Sequence, residues 1–259
     1  MAIKPIAYVA LSLLSSTAGA SLDTGANPAT SRGGEMVLAL WDDRQGKAML
    51  FDTGINFGQV RSNEWFSFNL SNANPNYKSF FNYDFSNVRW NAYVGNDWNN
   101  GERFDNPSEI GAIFTTQNPE LFINSPLNYQ NLSNFIISSG DTLGHWVARF
   151  ETSDPSISIN QTYESTSSEG SNYLGSIWGN SQGGYMQNTS AKAGDFITLV
   201  FNGITGFDYT DGVAKSLGRV QFNPITSTFG YVPIPAASWL LISGMLGLGA
   251  IVRRRHNLH

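Results

Sequence analysis

The acidic residues offer the first chemistry to consider. Asp42-Asp43, Asp97 with Glu102 and Asp105, and Asp208 with Asp211 each place carboxylates close together along the chain. A glycosidase needs two carboxylates opposed at a set separation. Spacing in sequence does not supply that separation, and solvated turn acids account for the same pattern. Two of the clusters are richer in oxygen: Asp97-Trp98-Asn99-Asn100-Gly101-Glu102 and Asp208-Tyr209-Thr210-Asp211-Gly212. Ca²⁺ takes ligands of this kind from loops, although neither cluster keeps EF-hand spacing and Asx turns are the plain alternative. Ca²⁺ at Asp97, Asn99 and Glu102, or at Asp208 and Asp211, is the single cofactor these residues suggest. Trp98, with Tyr93 and Trp178, stands in or beside polar sequence, where a ring could stack on a sugar. The same rings could equally fill a core.

Nucleophilic chemistry finds little support. His145, between Gly144 and Trp146, is the single histidine of the stretch 21–231. A Ser-His-Asp triad could use it, but no G-x-S-x-G elbow occurs, and a histidine zinc site would need ligands the sequence lacks. There is no cysteine, so a thiol nucleophile, a disulfide scaffold and Cys-based metal sites are excluded. No catalysis is expected.

The elements that would carry these residues read as strands and turns. The composition is rich in Asn, Ser and Gly and poor in Lys, and Asn and Gly supply turns, including those with φ > 0. Residues 35–42 and 47–52, joined across Asp42-Asp43-Arg44-Gln45-Gly46, predict a hairpin. Residues 65–70 predict a short strand with Phe66, Phe68 and Leu70 on one face. Val88, Trp90, Ala92 and Val94 alternate with Arg89, Asn91 and Tyr93, which predicts a half-buried strand over 88–94. Further strands are expected at 109–115, 146–151, 197–201, 218–223 and 226–232, with a loop or weak hairpin over 153–176. One helix is predicted at about 126–139: Ser125-Pro126 pairs a capping residue with a first-turn proline, Leu132, Phe135 and Ile136 keep helical spacing, and Gly140 can end it.

The two ends differ from this middle. Lys4 precedes an apolar run from Ile6 to Leu14, and Ala18-Gly19-Ala20 fits the small-x-small cleavage rule. Residues 1–20 therefore read as a signal peptide cut after Ala20, taken up by the Sec translocon and signal peptidase. At the other end, residues 236–252 run without a charge for 17 residues, at the short edge of the ~17–25 that cross a bilayer as a helix. Trp239 stands where an interfacial aromatic would. Arg253, Arg254 and Arg255 should stop transfer and stay cytoplasmic, leaving the large domain outside; the signal peptide demands the same orientation. A GPI-type tail also has small residues before an apolar stretch, but it ends in that stretch, and the arginines count against it. Between the ends, 21–230 forms one domain. Lys4 and the three C-terminal arginines lie outside it, leaving 11 of 15 basic residues against all 20 acidic ones, a balance of −9. Such a surface repels nucleic acid.

Val232-Pro233-Ile234-Pro235-Ala236-Ala237-Ser238-Trp239, the apolar span and the arginine cluster occur in that order. Together they resemble a PEP-CTERM sorting signal, in its Val-Pro-x-Pro-Ala variant. The resemblance implies processing by an exosortase, a membrane-embedded transpeptidase-like enzyme of Gram-negative bacteria that also make extracellular polysaccharide. It implies a precursor anchored in the inner membrane and a product at the cell surface or beyond, with extracellular polysaccharide as a partner. The match covers about 28 residues. Ile234 replaces the Glu of the commonest form, and His256-Asn257-Leu258-His259 extends past the usual end. Two prolines bias the segment to extended geometry, leaving an unpaired stretch a protease can grip at Val232, Pro233, Ile234 and Pro235. The middle faintly resembles uncharacterised secreted proteins with the same tail, through Leu38-Ala39-Leu40-Trp41-Asp42 and the Gly-rich 179–184. That implies an antiparallel β-sandwich-like surface domain. The expectation is an exported surface or matrix protein; an exported carbohydrate-binding or carbohydrate-processing protein is the alternative.

Overall fold

The computed structural model describes residues 35–62, 65–96, 111–127, 131, 162–168, 189–205 and 211–232. They form strands β1 (Glu35–Asp42), β2 (Lys47–Asn56), β3 (Ser67–Asn69), β4 (Arg89–Asn96), β5 (Gly111–Thr116), β6 (Thr162–Thr166), β7 (Ala191–Lys192), β8 (Phe196–Thr205), β9 (Asp211–Asn223) and β10 (Thr228–Tyr231). Four short helices punctuate them: α1 (Phe57–Arg61), α2 (Leu70–Ala73), α3 (Tyr77–Phe80) and α4 (Pro119–Asn124). The fold is mainly β and antiparallel. One sheet runs in the order β3-β10-β9-β8-β5-β4-β1-β2-β6, with β7 paired to β4.

The sheet closes on its own side chains by curling, as a wide twisted sheet tends to do. Phe51 of β2 meets Phe68 of β3 edge-on at 6.0 Å, and Trp90 of β4 meets Phe229 of β10 at 5.7 Å, although these strands lie far apart in the hydrogen-bonded order. Where stacked sheets were anticipated, one continuous path folds round to face itself. Leu38, Leu40, Met49, Phe51, Trp90, Ile113, Leu199, Phe201 and Phe222 belong to this shared core.

The opposite face of the central strands is buried too. Val37, Ala39 and Trp41 of β1, Tyr93 of β4, Phe114 of β5 and Val200 of β8 are all covered, and Phe122 of α4 packs edge-on against Phe114 at 4.8 Å. The strand at 88–94 is therefore not half-buried: Asn91 and Tyr93, which period-2 reading assigned to solvent, are each 1% exposed. Asn202 of β8, on this face with Val200, is fully buried and its side-chain amide has no hydrogen-bond partner among the described residues, whereas the junction of β4, β5 and β7 is matched locally. β4 pairs with β5 over Tyr93–Asn96 but with β7 at Arg89–Trp90, and the Thr115 hydroxyl fills the fork. It donates to the Thr189 carbonyl at 2.6 Å and accepts the Ala92 N–H at 3.1 Å.

The segment 70–85 plugs the mouth of the curl with rings. Tyr77 contacts Phe51 and Phe85, and Phe85 contacts Phe222, so strands at both ends of the sheet share one aromatic cluster. The helices here differ from the sequence expectation of one helix. Residues 65–70 do not stay extended, because Leu70 already starts α2 behind an Asn69 side-chain cap. Helix α1 carries a full capping box, Asn56 Oδ1 accepting from Gln59 N–H and Gln59 Oε1 from Asn56 N–H. Asn118-Pro119 starts α4, and Ser125 closes it. Pro119 thus opens a helix seven residues before Pro126, without a side-chain cap from Asn118. Pro126 and Leu127 are non-helical, Asn131 is helical, and the rest of 126–139 lies outside the described residues. The polar stretch 153–176 contributes β6, an edge strand on β2. The expected strand at 146–151, the expected signal peptide 1–20 and the apolar span 236–252 also lie outside the described residues.

Candidate functional site

Val232, the first residue of the Val-Pro-Ile-Pro segment, directly follows β10. Thr228–Tyr231 is held between β9 and β3. At its end the Tyr231 N–H donates to the Phe66 carbonyl at 3.3 Å and the Val232 N–H to the Arg219 carbonyl at 3.1 Å. Val232 is therefore still stitched to the domain, which corrects the expectation that the whole motif is unpaired. The ladder has a chemical reason to stop there, since Pro233 has no N–H to donate. Pro233, Ile234, Pro235, Arg253, Arg254 and Arg255 lie outside the described residues.

Aromatic side chains surround this exit. Phe66 packs on Tyr231 at 4.7 Å and on Phe229 at 5.5 Å, and Trp65 reaches Tyr231 at 5.9 Å. Burial pushes the Tyr231 phenol up to about 12, so it stays a neutral donor. Its ring lies across Gly218, where a Cβ would come within 3.3 Å of it. Trp65 remains 66% exposed and Phe196 45% exposed. Arg219 sets its guanidinium 5.0 Å over the Phe196 ring. Sequence reading took Trp65 as the start of a strand; the signal available was an aromatic pair, Trp65-Phe66, flanked by charged and polar residues.

The acidic candidates resolve differently. Asp42 is buried at the end of β1 and clasps its turn: Oδ1 accepts from the Arg44 and Gln45 N–H groups at 2.8 and 3.2 Å, and Oδ2 from Gln45 Nε2 at 2.9 Å. Asp43 is raised by partial burial and by the Asp42 charge, with Arg89 opposing. The pair makes a turn rather than two carboxylates opposed across a cleft. Asp211 is not in a loop; it opens β9 with its backbone paired to Thr205. Tyr93, offered for sugar stacking, is buried within the sheet. Asp97, Trp98, Asn99, Glu102, Asp105, Asp208, His145, Trp178, Ala18 and Ala20 lie outside the described residues. Among the described residues no three His, Asp or Glu side chains gather as metal ligands would.

One acid went unnoticed in the sequence. Asp52 of β2 is 7% exposed, and its Oδ1 accepts the Gly54 N–H at 3.0 Å. Burial first, and then the charge of Glu35, push its carboxyl up to about 7, against the pull of that N–H. The clue was its place in the alternation Ala48, Leu50, Asp52, which puts it on one face with two apolar side chains. Among the described residues it belongs to no group of three acidic or histidine side chains.

Comparison of the chain with protein-family models, with curated proteins and with solved structures gives no match. No helix among the described residues is long and apolar enough to cross a membrane.

Proposed function

We propose that this chain is an exported surface or extracellular-matrix protein. In this reading it is anchored transiently by its C-terminal span, processed by an exosortase-type enzyme and without catalytic activity of its own. The observation that carries the reading is the ordered tail: Val232-Pro233-Ile234-Pro235, then a charge-free stretch 236–252, then Arg253-Arg254-Arg255, opposite an N-terminal leader of matching orientation. The end of the sheet at Tyr231–Val232 is compatible with it, because a cut beyond the motif would cost the domain no strand. The Asp42 turn clasp and the buried Tyr93 remove two of the residues on which a carbohydrate-active alternative could draw.

The test is the intact mass of the surface-released protein. Loss of the residues from near 232–235 onward is the expected result. A released form that still carries Arg255 would sink processing, and a full-length chain recovered free of membranes and cell surface would sink the whole reading.

A further inference from the structure

The exit of the chain places an aromatic rim within reach of a bilayer. Resting on the tail reading above, we infer that Trp65, Tyr231 and Phe196, with Arg219, form a surface that lies in the headgroup layer of the membrane while the precursor is anchored. Chain length sets the limit. Val232 is fixed to β9 through the Arg219 carbonyl, and the apolar span begins at Ala236. Four residues reach at most about 14 Å when fully extended. The polar zone on each side of the hydrocarbon core is itself roughly 6 Å deep. Side chains around Val232 therefore cannot be held far from lipid.

What stands around Val232 is the composition that interfaces favour. Register places Ser67, Gly230, Gln221 and Phe196 in one cross-strand row, and Phe66, Tyr231, Val220 and Ile197 in the next. Successive rows face opposite sides of the sheet, so Ser67, Phe196 and Arg219 stand on its outer face and Tyr231 on its core side, and the rim is the strand-end edge of β3, β10, β9 and β8 where the two sides meet at Val232. Trp65 is 66% exposed although its ring touches Tyr231. Trp and Tyr enrich at membrane–water boundaries because one end of each ring is apolar and the other polar. Arg219 supplies a cation beside them, within a domain whose overall balance is −9. At the same level β9 is irregular: Gly218 takes φ +126, and the β8–β9 register shifts between Leu199 and Val200. A bulge bends and twists its strand.

The chain has no cysteine, so single thiols can be introduced for an environment-sensitive fluorophore. Full-length protein in phosphatidylethanolamine–phosphatidylglycerol vesicles would carry the label at Ser67→Cys in the rim, Ile225→Cys at the turn before β10, or Ser243→Cys in the tail. Spin-labelled lipids, shallow or deep, then quench the probe. The expected result is deep quenching at position 243, and shallow quenching at position 67 at least two-fold above that at position 225. Trp65→Ser should bring position 67 down toward the value at 225. If position 243 is quenched but 67 equals 225, the rim proposal fails and the tail reading stands. If position 243 is unquenched, both fail.

Discussion

Two hairpin turns in this molecule have the same shape and are built from different residues. In the first, Asp42 pairs with Lys47 across Asp43-Arg44-Gln45-Gly46; in the second, Asn223 pairs with Thr228 across Pro224-Ile225-Thr226-Ser227. Each starts with a side-chain oxygen that accepts two backbone N–H groups: those of Arg44 and Gln45 for Asp42, and those of Ile225 and Thr226 for Asn223. Each ends with a left-handed residue, Gly46 at φ 59 and Ser227 at φ 58. Glycine takes that geometry freely, whereas serine is strained there. The second turn offsets the strain by tying Ser227 down: its Oγ hydrogen-bonds the Tyr77 hydroxyl at 2.7 Å, and its carbonyl accepts the Leu70 N–H at 2.8 Å. The first turn has a different constraint, because Ser167 docks on Gly46 and donates its N–H to the Gly46 carbonyl at 2.8 Å. Turn shape follows the Asx acceptor and the left-handed end; the residue at that end is set by what packs against it.

The largest effect separates the hairpins by charge, since the first carries a second buried acid, Asp52, in β2. Its folded-state value of about 7 lies above the ordinary carboxylate range, so the folded protein holds a proton that the unfolded chain releases. Its contribution is fully favourable below about pH 4 and declines as pH rises to about 7, then stays level. The expected loss is on the order of 4 kcal/mol. Asp52→Asn should abolish that decline, read as the difference in urea midpoint between pH 4.5 and pH 8 for the two proteins. A parallel pH dependence in both would refute the assignment.

Next in size is Gly46→Ala. A Cβ there would come within 2.1 Å of Ser167 Oγ, and the left-handed backbone adds its own penalty, about 3 kcal/mol together. Adding Ser167→Gly should return the steric share, leaving about 1 kcal/mol. If Gly46→Ala alone unfolds no more easily than the parent in thermal melts, the contrast between the turns is wrong. The smallest effect lies in the second turn. Tyr77→Phe should cost about 1 kcal/mol. Ser227→Gly should be near neutral alone, losing a hydrogen bond while relieving strain, and stabilising in the Tyr77→Phe background. A double-mutant cycle with no coupling would show that the hydroxyl pair does not hold the turn.

Much of the strand layout was legible because apolar periodicity and turn chemistry agreed. The pattern Met36 to Trp41, an Asx turn and Ala48 to Phe51 leave little choice but a hairpin, and Ile197–Phe201 reads as buried in any register. The failures have physical causes. Asn91 and Tyr93 look solvent-facing by alternation, but both faces of β4 are covered, and period 2 cannot report cover supplied from elsewhere in the chain. Helices of four to six residues are too short for a 3.6-residue period; α1 was visible only through the Asn56–Gln59 capping box. Strand β6 is Ser- and Thr-rich because it lies at an edge, where burial does not dictate sequence. For the candidate site, the tail was read from residue order alone. The Trp65–Tyr231 contact joins residues distant in the chain and needed the β3–β10 pairing to be seen.

On the reading proposed above, the hydrogen bond from Val232 to Arg219 also bears on the life of the protein after release. A carboxypeptidase digesting inward from a new end meets first the proline-containing remnant and then an amide clamped to its neighbour. Fraying of the last strand would have to break that clamp before Tyr231 and Phe229, whose rings help close the curl, came loose. Shedding the anchor need not shorten the half-life of what is shed.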